Sequence, residues 1–320
     1  MAFENSALTI VLNHPEADSY ARLAKERFPH VRTIVAPDPE GLEQHIAQAD
    51  ALLAFRFPVE VLHKANNLRW FQCTGAGVDS MLSARDRAAH VTVTNARGIH
   101  GDVIADYVMA GVTMLHWDFR KSLREQAERQ WKPRFIAPLA EKTLGVVGLG
   151  SIGATIARRA KSAGMTVVGS KQDVSSHVEG VDQLFAFDAL KDFLPLCDFV
   201  VLALPATPDT VGLVGASEIA RMRHDAFLIN IARGNIVVEA ELIRALKTGA
   251  IAGAMLDVFE CEPLPKDSPL WDMPNVIATP HMAGRSDEVY GAVVSIFADD
   301  IERFINGQPL KNRVDLTRGY

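Results

Sequence analysis

The chain has 320 residues, of which 48% are hydrophobic and 22% are charged, and its net charge is −6 at neutral pH. This length allows two domains with their own cores, and the composition is typical of a soluble globular protein. No basic run suggests a nucleic-acid face, and short apolar stretches such as FVVLALPA from Phe199 end at charge or proline, so we expect neither a nucleic-acid partner nor a membrane span.

The first hundred residues alternate between β-rich runs and helical stretches such as EADSYARLAKERF. Because a parallel return needs a crossover, this alternation predicts a parallel sheet. Five runs are predicted strands: ALTIVL (Ala7–Leu12), TIVA (Thr33–Ala36), ALLAF (Ala51–Phe55), RWFQC (Arg69–Cys73) and VTVT (Val91–Thr94).

A second series begins with HGDVIADYVMAGVTMLHW, a predicted long helix that opens near Asp102. The apolar strands LGVVG, MTVVG, DFVVLAL, AFLINI and IAGAMLDV follow, and near-continuous apolar runs are expected of strands buried on both faces. DEVYGAVVSIFADDIERFI, from Asp287, is a predicted final helix. The fold class predicted is α/β, with two Rossmann- or flavodoxin-like parallel-sheet domains.

The N-terminal segment MAFENSALTI shows neither a basic region nor a small-residue cleavage signal. Cys73, Cys197 and Cys261 are scattered and form no CxxC pair, so we interpret each as a small buried hydrophobic residue and expect no metal site. Both features predict a reducing compartment and a cytoplasmic location.

Three glycines, Gly148, Gly150 and Gly153, lie between a predicted strand and a predicted helix in TLGVVGLGSIGATIARRAKSAGMTVVG. In a dinucleotide site such glycines permit a tight turn, close approach of the pyrophosphate and close packing of helix on strand. The helix N-terminus, with Ser151 and Ile152, would offer N–H groups to the phosphates. A flexible surface turn is the alternative, but the flanking strand, helix and second strand favour a dinucleotide site.

The second strand ends in Ser170 and Lys171, where an NAD-selective site usually has an acidic residue for the ribose hydroxyls. Lysine attracts a 2′-phosphate and serine can hydrogen-bond it, which favours NADP(H). In the alternative, Lys171 is a solvated loop residue, Asp173 takes the acidic role and the cofactor is NAD(H).

Three downstream segments each follow a predicted strand and carry Arg233, Glu262 and His281. Reduction of a 2-keto acid needs a cation for the carboxylate, a proton donor near neutral pH and a carboxylate that orients an imidazole donor. Taken singly, the arginine could be a helix-end cation, the glutamate an exposed loop acid and the histidine a surface or core residue.

Together, GLGSIG, NIARGNIV, LDVFECEPLP and TPHMAG resemble the D-isomer-specific 2-hydroxyacid dehydrogenases, and the similarity continues weakly into QCTGAGVD and NARGIHGDVIADYV. The resemblance implies that Arg233 binds the substrate, that His281 is the acid/base and that Glu262 tunes the histidine. It also implies that Asp257 holds the nicotinamide carboxamide. Three consecutive residues would line the cofactor: Ile231, Ala232 and Arg233. Three backbone N–H groups would cradle the substrate carboxylate, unless they only shape a turn: those of Gly75, Ala76 and Gly77.

The resemblance further implies a discontinuous substrate domain, residues 1–100 with 287–320, into which a dinucleotide-binding domain of residues 101–286 is inserted. The active site would lie in a cleft that closes by hinge motion. Family members are usually homodimers, and Leu115–Leu139, with Trp117 and Trp131, would lie in the contacting arm.

The predicted function is hydride transfer between NADPH, or NADH, and a small 2-keto acid such as glyoxylate or hydroxypyruvate. The alternative is an NAD(P)-sensing binding protein of the same fold without catalytic activity. Two other activities in the superfamily are disfavoured. Formate dehydrogenases have glutamine where Glu262 stands. A phosphoglycerate dehydrogenase with a regulatory extension is expected to continue beyond the last helix. For the substrate side chain, the pocket predicted includes Arg56, Phe57 and Met81.

Overall fold

The computed structural model describes residues 8–319. They form two compact units, the described parts of residues 1–99 with 286–320 (unit 1) and residues 100–285 (unit 2). Each unit has its own parallel sheet, so the predicted fold class, two parallel-sheet α/β domains with one inserted into the other, is confirmed. No helix in residues 8–319 is long and apolar enough to cross a membrane.

Within these residues the strands are, in chain order, β1 (Thr9–Asn13), β2 (Arg32–Val35), β3 (Ala51–Ala54), β4 (Trp70–Cys73), β5 (Thr92–Thr94), β6 (Thr143–Val147), β7 (Thr166–Lys171), β8 (Gln183–Ala186), β9 (Phe199–Leu202), β10 (Phe227–Asn230), β11 (Gly253–Leu256) and β12 (Val276–Ala278). The α-helices are α1 (Ala17–Arg27), α2 (Pro39–His45), α3 (Asp79–Leu82), α4 (Gly101–His116), α5 (Phe119–Ala127), α6 (Ser151–Ser162), α7 (Leu190–Phe193), α8 (Ala216–Ile219), α9 (Glu239–Thr248) and α10 (Asp287–Ile305).

Unit 1 has a five-stranded sheet in the order β2-β1-β3-β4-β5, with every pair parallel. Helix α10 belongs to this unit: its first turn is capped by Ser286, whose hydroxyl accepts the N–H of Val289. The ring of Phe297 then packs 5.6 Å from Tyr20 of α1 and 5.8 Å from Trp70 of β4. Aromatic burial of this kind attaches the C-terminal helix to the N-terminal sheet.

Unit 2 has a seven-stranded parallel sheet in the order β12-β11-β10-β9-β6-β7-β8. Helix α4 lies close to β11, because a side chain at Gly111 would overlap the Met255 thioether. The sequence did not predict α5 or the edge strand β8. Apart from the buried Glu125 of α5, their residues are half-buried or exposed, and they give no continuous apolar run. Since all strands are parallel, the loops after β6, β7, β10, β11 and β12 emerge at the same edge of the sheet.

Candidate active site

The three predicted catalytic side chains follow three adjacent strands of unit 2. Arg233 follows β10, Glu262 follows β11 and His281 follows β12, and these strands are consecutive neighbours in the sheet. The carboxyl edge of a parallel sheet is where ligands bind in open α/β folds. The topology therefore gathers the arginine, glutamate and histidine loops at one edge.

The imidazole and the carboxylate are in direct contact. Nδ1 of His281 lies 2.8 Å from Oε2 of Glu262, while Oε1 of Glu262 accepts the backbone N–H of Phe259 at 3.2 Å. Because an ionised carboxylate only accepts, Nδ1–H donates the first bond, and Nε2 is the nitrogen on the far side of the ring. Both side chains are partly exposed, at 29% and 21%. The glutamate thus fixes the ring's orientation and its tautomer.

The backbone at His281 has an unusual conformation, with a φ of 50° that residues other than glycine rarely adopt. Asp257, which is 2% exposed, holds the loop in place. Its backbone carbonyl accepts the N–H of His281 at 2.8 Å, and its carboxylate accepts the N–H groups of Met282 and Ala283, both at 2.9 Å. Charge-assisted bonds to several N–H groups stabilise a conformation that is otherwise costly.

A hydroxyl chain connects helix α4 to the same carboxylate. The Tyr107 hydroxyl lies 2.5 Å from Oγ1 of Thr279, which donates to Oδ1 of Asp257 at 2.7 Å. Burial raises the pKa of Tyr107, so the phenol stays neutral and can donate to the threonine. The predicted carboxamide ligand Asp257 is therefore also the residue that organises the His281 loop.

The Arg233 loop is shaped by two residues that the sequence analysis did not select. Asn230 accepts the N–H of Ala232 at 3.0 Å and donates to the carbonyl of Arg233 at 2.9 Å. At Gly234 any side chain would overlap the backbone of Phe259. The guanidinium itself is half-buried and donates to the Ala232 carbonyl at 2.7 Å. In the sequence, the glycine that directly follows Arg233 could have predicted this close contact.

The glycine loop has the geometry that a dinucleotide requires. Gly148 has a φ of 97°, and a side chain there would meet the carbonyl oxygen of Ala203 at 2.5 Å, while one at Gly153 would overlap the Gly148 carbonyl. Beside Gly150, in contrast, a side chain would meet nothing within 4 Å. The twelve-residue helix α6 begins at Ser151, where N–H groups of the first turn precede the first intrahelical bond. Open space at a helix N-terminus fits a pyrophosphate.

The residues at the end of β7 differ in exposure. Ser170 is 0% exposed, and its hydroxyl has no hydrogen-bond partner among residues 8–319. Lys171 donates from Nζ to the Ser176 hydroxyl at 2.7 Å. The Asp173 carboxylate accepts from the hydroxyl and N–H of Ser175, which lowers its pKa. The orphaned serine hydroxyl fits a site completed by a further polar group.

In unit 1 the predicted amide loop, Gly75–Gly77, follows β4. Two residues named for a substrate pocket, Phe57 and Met81, are 3% and 0% exposed and belong to the core of this unit, so that expectation is wrong for both. Packing within this core accounts for their apolar side chains, with the Phe57 ring 5.0 Å from that of Phe71 in β4. The exposed neighbours are Phe55, at 42%, and Arg56, whose guanidinium lies 6.0 Å from the Phe55 ring centre.

Comparison with known proteins assigns the chain to a family. The model of the D-isomer specific 2-hydroxyacid dehydrogenase NAD binding domain matches residues 109–283, more than half of the chain. The chain belongs to the D-isomer specific 2-hydroxyacid dehydrogenase family. The resemblance predicted from the glycine loop and the three catalytic segments is therefore confirmed.

Two curated relatives have similar identities but different lengths. A D-3-phosphoglycerate dehydrogenase of Methanocaldococcus jannaschii is 32% identical over 87% of this chain, which spans only 54%, about half, of that relative. A glyoxylate/hydroxypyruvate reductase A of Escherichia fergusonii is 33% identical over 85% of this chain and 88% of its own length.

Two solved structures match nearly the whole chain. A D-isomer specific 2-hydroxyacid dehydrogenase from Xanthobacter autotrophicus, in complex with NADPH and MES, has 33% identity and a TM-score of 0.86 over 98% of this chain and 100% of that one. An NADPH-dependent glyoxylate/hydroxypyruvate reductase from Sinorhizobium meliloti, in complex with NADP and sulfate, has 29% identity and a TM-score of 0.87 over the same shares.

Proposed function

We propose that the protein reduces small 2-keto acids, such as glyoxylate or hydroxypyruvate, to D-2-hydroxy acids where C2 is chiral, with NADPH preferred over NADH. The observation that carries the proposal is the 2.8 Å contact between His281 and Glu262 within a domain of this dehydrogenase family. Glyoxylate/hydroxypyruvate reductases among the relatives and NADPH in a related structure support the substrate class and the cofactor.

The chain's residues divide the reaction into three tasks. When bound, the nicotinamide cofactor supplies the hydride. Arg233 pairs with the substrate carboxylate and polarises the keto group, since a planar guanidinium can donate two parallel bonds. His281 donates a proton from Nε2 to the oxygen that becomes the hydroxyl, while Glu262 stabilises the ring through Nδ1. The N–H groups of the Gly75–Gly77 loop bind the substrate carboxylate.

The experiment that tests the proposal is turnover with a panel of 2-keto acids, glyoxylate and hydroxypyruvate included, against NADPH and NADH. We expect cofactor oxidation with at least one small keto acid and a higher kcat/KM with NADPH. If neither reduced cofactor is oxidised with any acid while both still bind, the protein is an NAD(P)-sensing binding module instead.

Cofactor preference should depend on Lys171. A 2′-phosphate is attracted by an ammonium group and repelled by a carboxylate, so Lys171→Asp should shift the NADPH/NADH ratio of kcat/KM by about tenfold or more towards NADH. Lys247→Asp, at an exposed position on α9, makes the same charge change elsewhere and should leave the ratio unchanged. An unchanged ratio in Lys171→Asp would refute this interpretation.

We also propose a homodimer and a cytoplasmic location. Exposed apolar side chains are concentrated on the arm of unit 2, which is unusual for a monomer surface: Trp117, Phe119, Leu123, Trp131 and Phe135. Sedimentation should give a dimer for the wild type and a monomer for the double variant Trp131→Lys with Phe135→Glu. A dimer that survives both substitutions would place the contact elsewhere. Location should follow from cell fractionation, with the protein in the cytosolic fraction.

A further inference from the structure

The carbonyl groups of the amide loop in unit 1 are all hydrogen-bonded to neighbouring structure. The Gly75 carbonyl accepts the N–H of Ala96 at 2.9 Å, and the Ala76 carbonyl accepts Nδ2 of Asn95 at 2.6 Å. The Gly77 carbonyl accepts the Cys73 thiol at 3.3 Å. Three consecutive carbonyls are thus fixed by partners at the ends of β4 and β5.

Fixing a carbonyl also fixes the direction of the next N–H. In a planar trans peptide the C=O of one residue and the N–H of the following residue point in opposite directions. The bonds to Gly75 and Ala76 therefore turn the N–H groups of Ala76 and Gly77 away from Ala96 and Asn95. No hydrogen bond from either N–H to a group within residues 8–319 is present, and both residues are half-buried.

The side chain of Asn95 is held in a position to donate to the Ala76 carbonyl. It is 2% exposed, and its Oδ1 accepts the N–H of Arg97 at 3.3 Å, which leaves Nδ2 as the group that faces the Ala76 carbonyl. The single S–H of Cys73 lies within reach of two carbonyls, that of Gly77 and, at 3.2 Å, that of Phe55, so the thiol lies between the loops that follow β3 and β4.

We propose that Asn95 is a positioning residue: its bond to the Ala76 carbonyl directs the N–H of Gly77 towards the carboxylate of the keto acid, which the N–H of Ala76 also binds. Cys73 supports it by anchoring the end of the Gly75–Gly77 loop through the Gly77 carbonyl. The inference rests on the proposed function, because the carboxylate is that of its substrate. Neither side chain touches the substrate; each acts through a backbone carbonyl.

The test compares two asparagines of the same sheet. Asn95→Ala removes the bond to the Ala76 carbonyl, and Asn13→Ala removes an equivalent 2.7 Å bond from Asn13 Nδ2 to the carbonyl of Ala36. We expect Asn95→Ala to raise the KM for glyoxylate about tenfold, with kcat within about threefold and NADPH binding unchanged. Asn13→Ala should leave this KM unchanged. A KM that stays near the wild-type value in Asn95→Ala, or rises equally in Asn13→Ala, overturns the inference.

Cys73 provides a second pair should Asn95→Ala fail to fold. Cys73→Ser keeps a donor for the Gly77 carbonyl and should retain the wild-type KM, whereas Cys73→Ala loses the donor and should raise it. Equal KM values for serine and alanine at this position would contradict the role of the thiol.

Binding of oxalate separates this inference from the proposed function. The amide resonances of Ala76 and Gly77 should shift on oxalate titration in the wild type, and that of Gly77 should shift much less in Asn95→Ala, whether or not any keto acid is reduced. Shifts without turnover would refute the reductase and support the positioning role. Turnover with amide shifts that do not depend on Asn95 would refute the positioning role alone.

Discussion

The loop after β12 in unit 2 and the loop after β4 in unit 1 are held in opposite ways. In the first, a buried carboxylate of Asp257 binds the N–H groups of Met282 and Ala283, so the loop presents the side chain of His281. In the second, donors bind the carbonyls of Gly75–Gly77, so the loop presents N–H groups. The half of the peptide group that the scaffold binds thus determines what a loop offers to a ligand.

The strongest test of this difference removes the side chain that the first loop presents. His281→Ala should lower kcat by about 10²–10⁴-fold, because a proton donor of the reaction is lost, while NADPH binding changes by less than about threefold. Steady-state kinetics and fluorescence titration measure the two effects. The exposed His224→Ala is the matched control and should keep the wild-type kcat. Equal losses in rate and in cofactor affinity would argue against the acid/base role.

The next test leaves the histidine intact and changes what holds it. Asp257→Asn replaces an acceptor by an N–H donor that faces backbone N–H groups, which should cost about 1.5–3 kcal/mol of positioning and lower kcat about 10–100-fold. Thr279→Val removes only one donor to this carboxylate and should have a smaller effect. If Asp257→Asn weakens NADPH binding but leaves kcat at saturation unchanged, Asp257 acts on the nicotinamide and not on the loop.

A smaller effect, on folding stability, is expected from a second buried carboxylate, that of Asp300 in α10. Asp300 is 0% exposed, but its carboxylate accepts fewer hydrogen bonds than that of Asp257. Its Oδ1 accepts the N–H of Lys311 at 2.8 Å, and its Oδ2 has no partner within residues 8–319. Burial raises the pKa of Asp300 from 3.8 to about 6, against the opposing effects of the Lys311 N–H bond and of Arg303.

The folded state therefore binds this proton more tightly than the unfolded chain, so the ionised carboxylate destabilises the fold above about pH 6. Asp300→Asn should raise the free energy of unfolding by about 1–3 kcal/mol at pH 7.5, and this gain should vanish as the pH falls towards 4. Urea unfolding at the two pH values measures it. A gain that does not change with pH would show that the charge is not its source.

Much of the architecture could be predicted because long apolar runs and amphipathic helices dictate it. Helix α10 was predicted at residues 287–305, where the structure has it, since its pattern is strong and Ser286 caps it. The edge strand β8 was missed because none of its four residues is fully buried and it gives no continuous apolar run. The order of the strands was not read from the sequence, since it depends on packing between distant segments.

The candidate site was predicted only where a side chain carries chemistry. Glu262 and His281 lie in contact, as the resemblance of their motifs to the family implied, whereas Asn230 and Asn95 act through backbone carbonyls and leave no such signal. The burial of Phe57 was not predicted either: it was expected to line a substrate pocket but is 3% exposed. Its exposure depends on how the loop after β3 packs against β4, and a short run of residues does not reveal that.

The contact at Gly234 has a mechanical consequence. Since its α-carbon abuts the Phe259 backbone, the segment that carries the guanidinium and the one that leads to Glu262 cannot slide past each other. The positions of Arg233 and of Glu262, which contacts His281, are thereby coupled, because a displacement of either segment must move the other. The methyl group of Gly234→Ala would push the two segments apart and displace both Arg233 and Glu262.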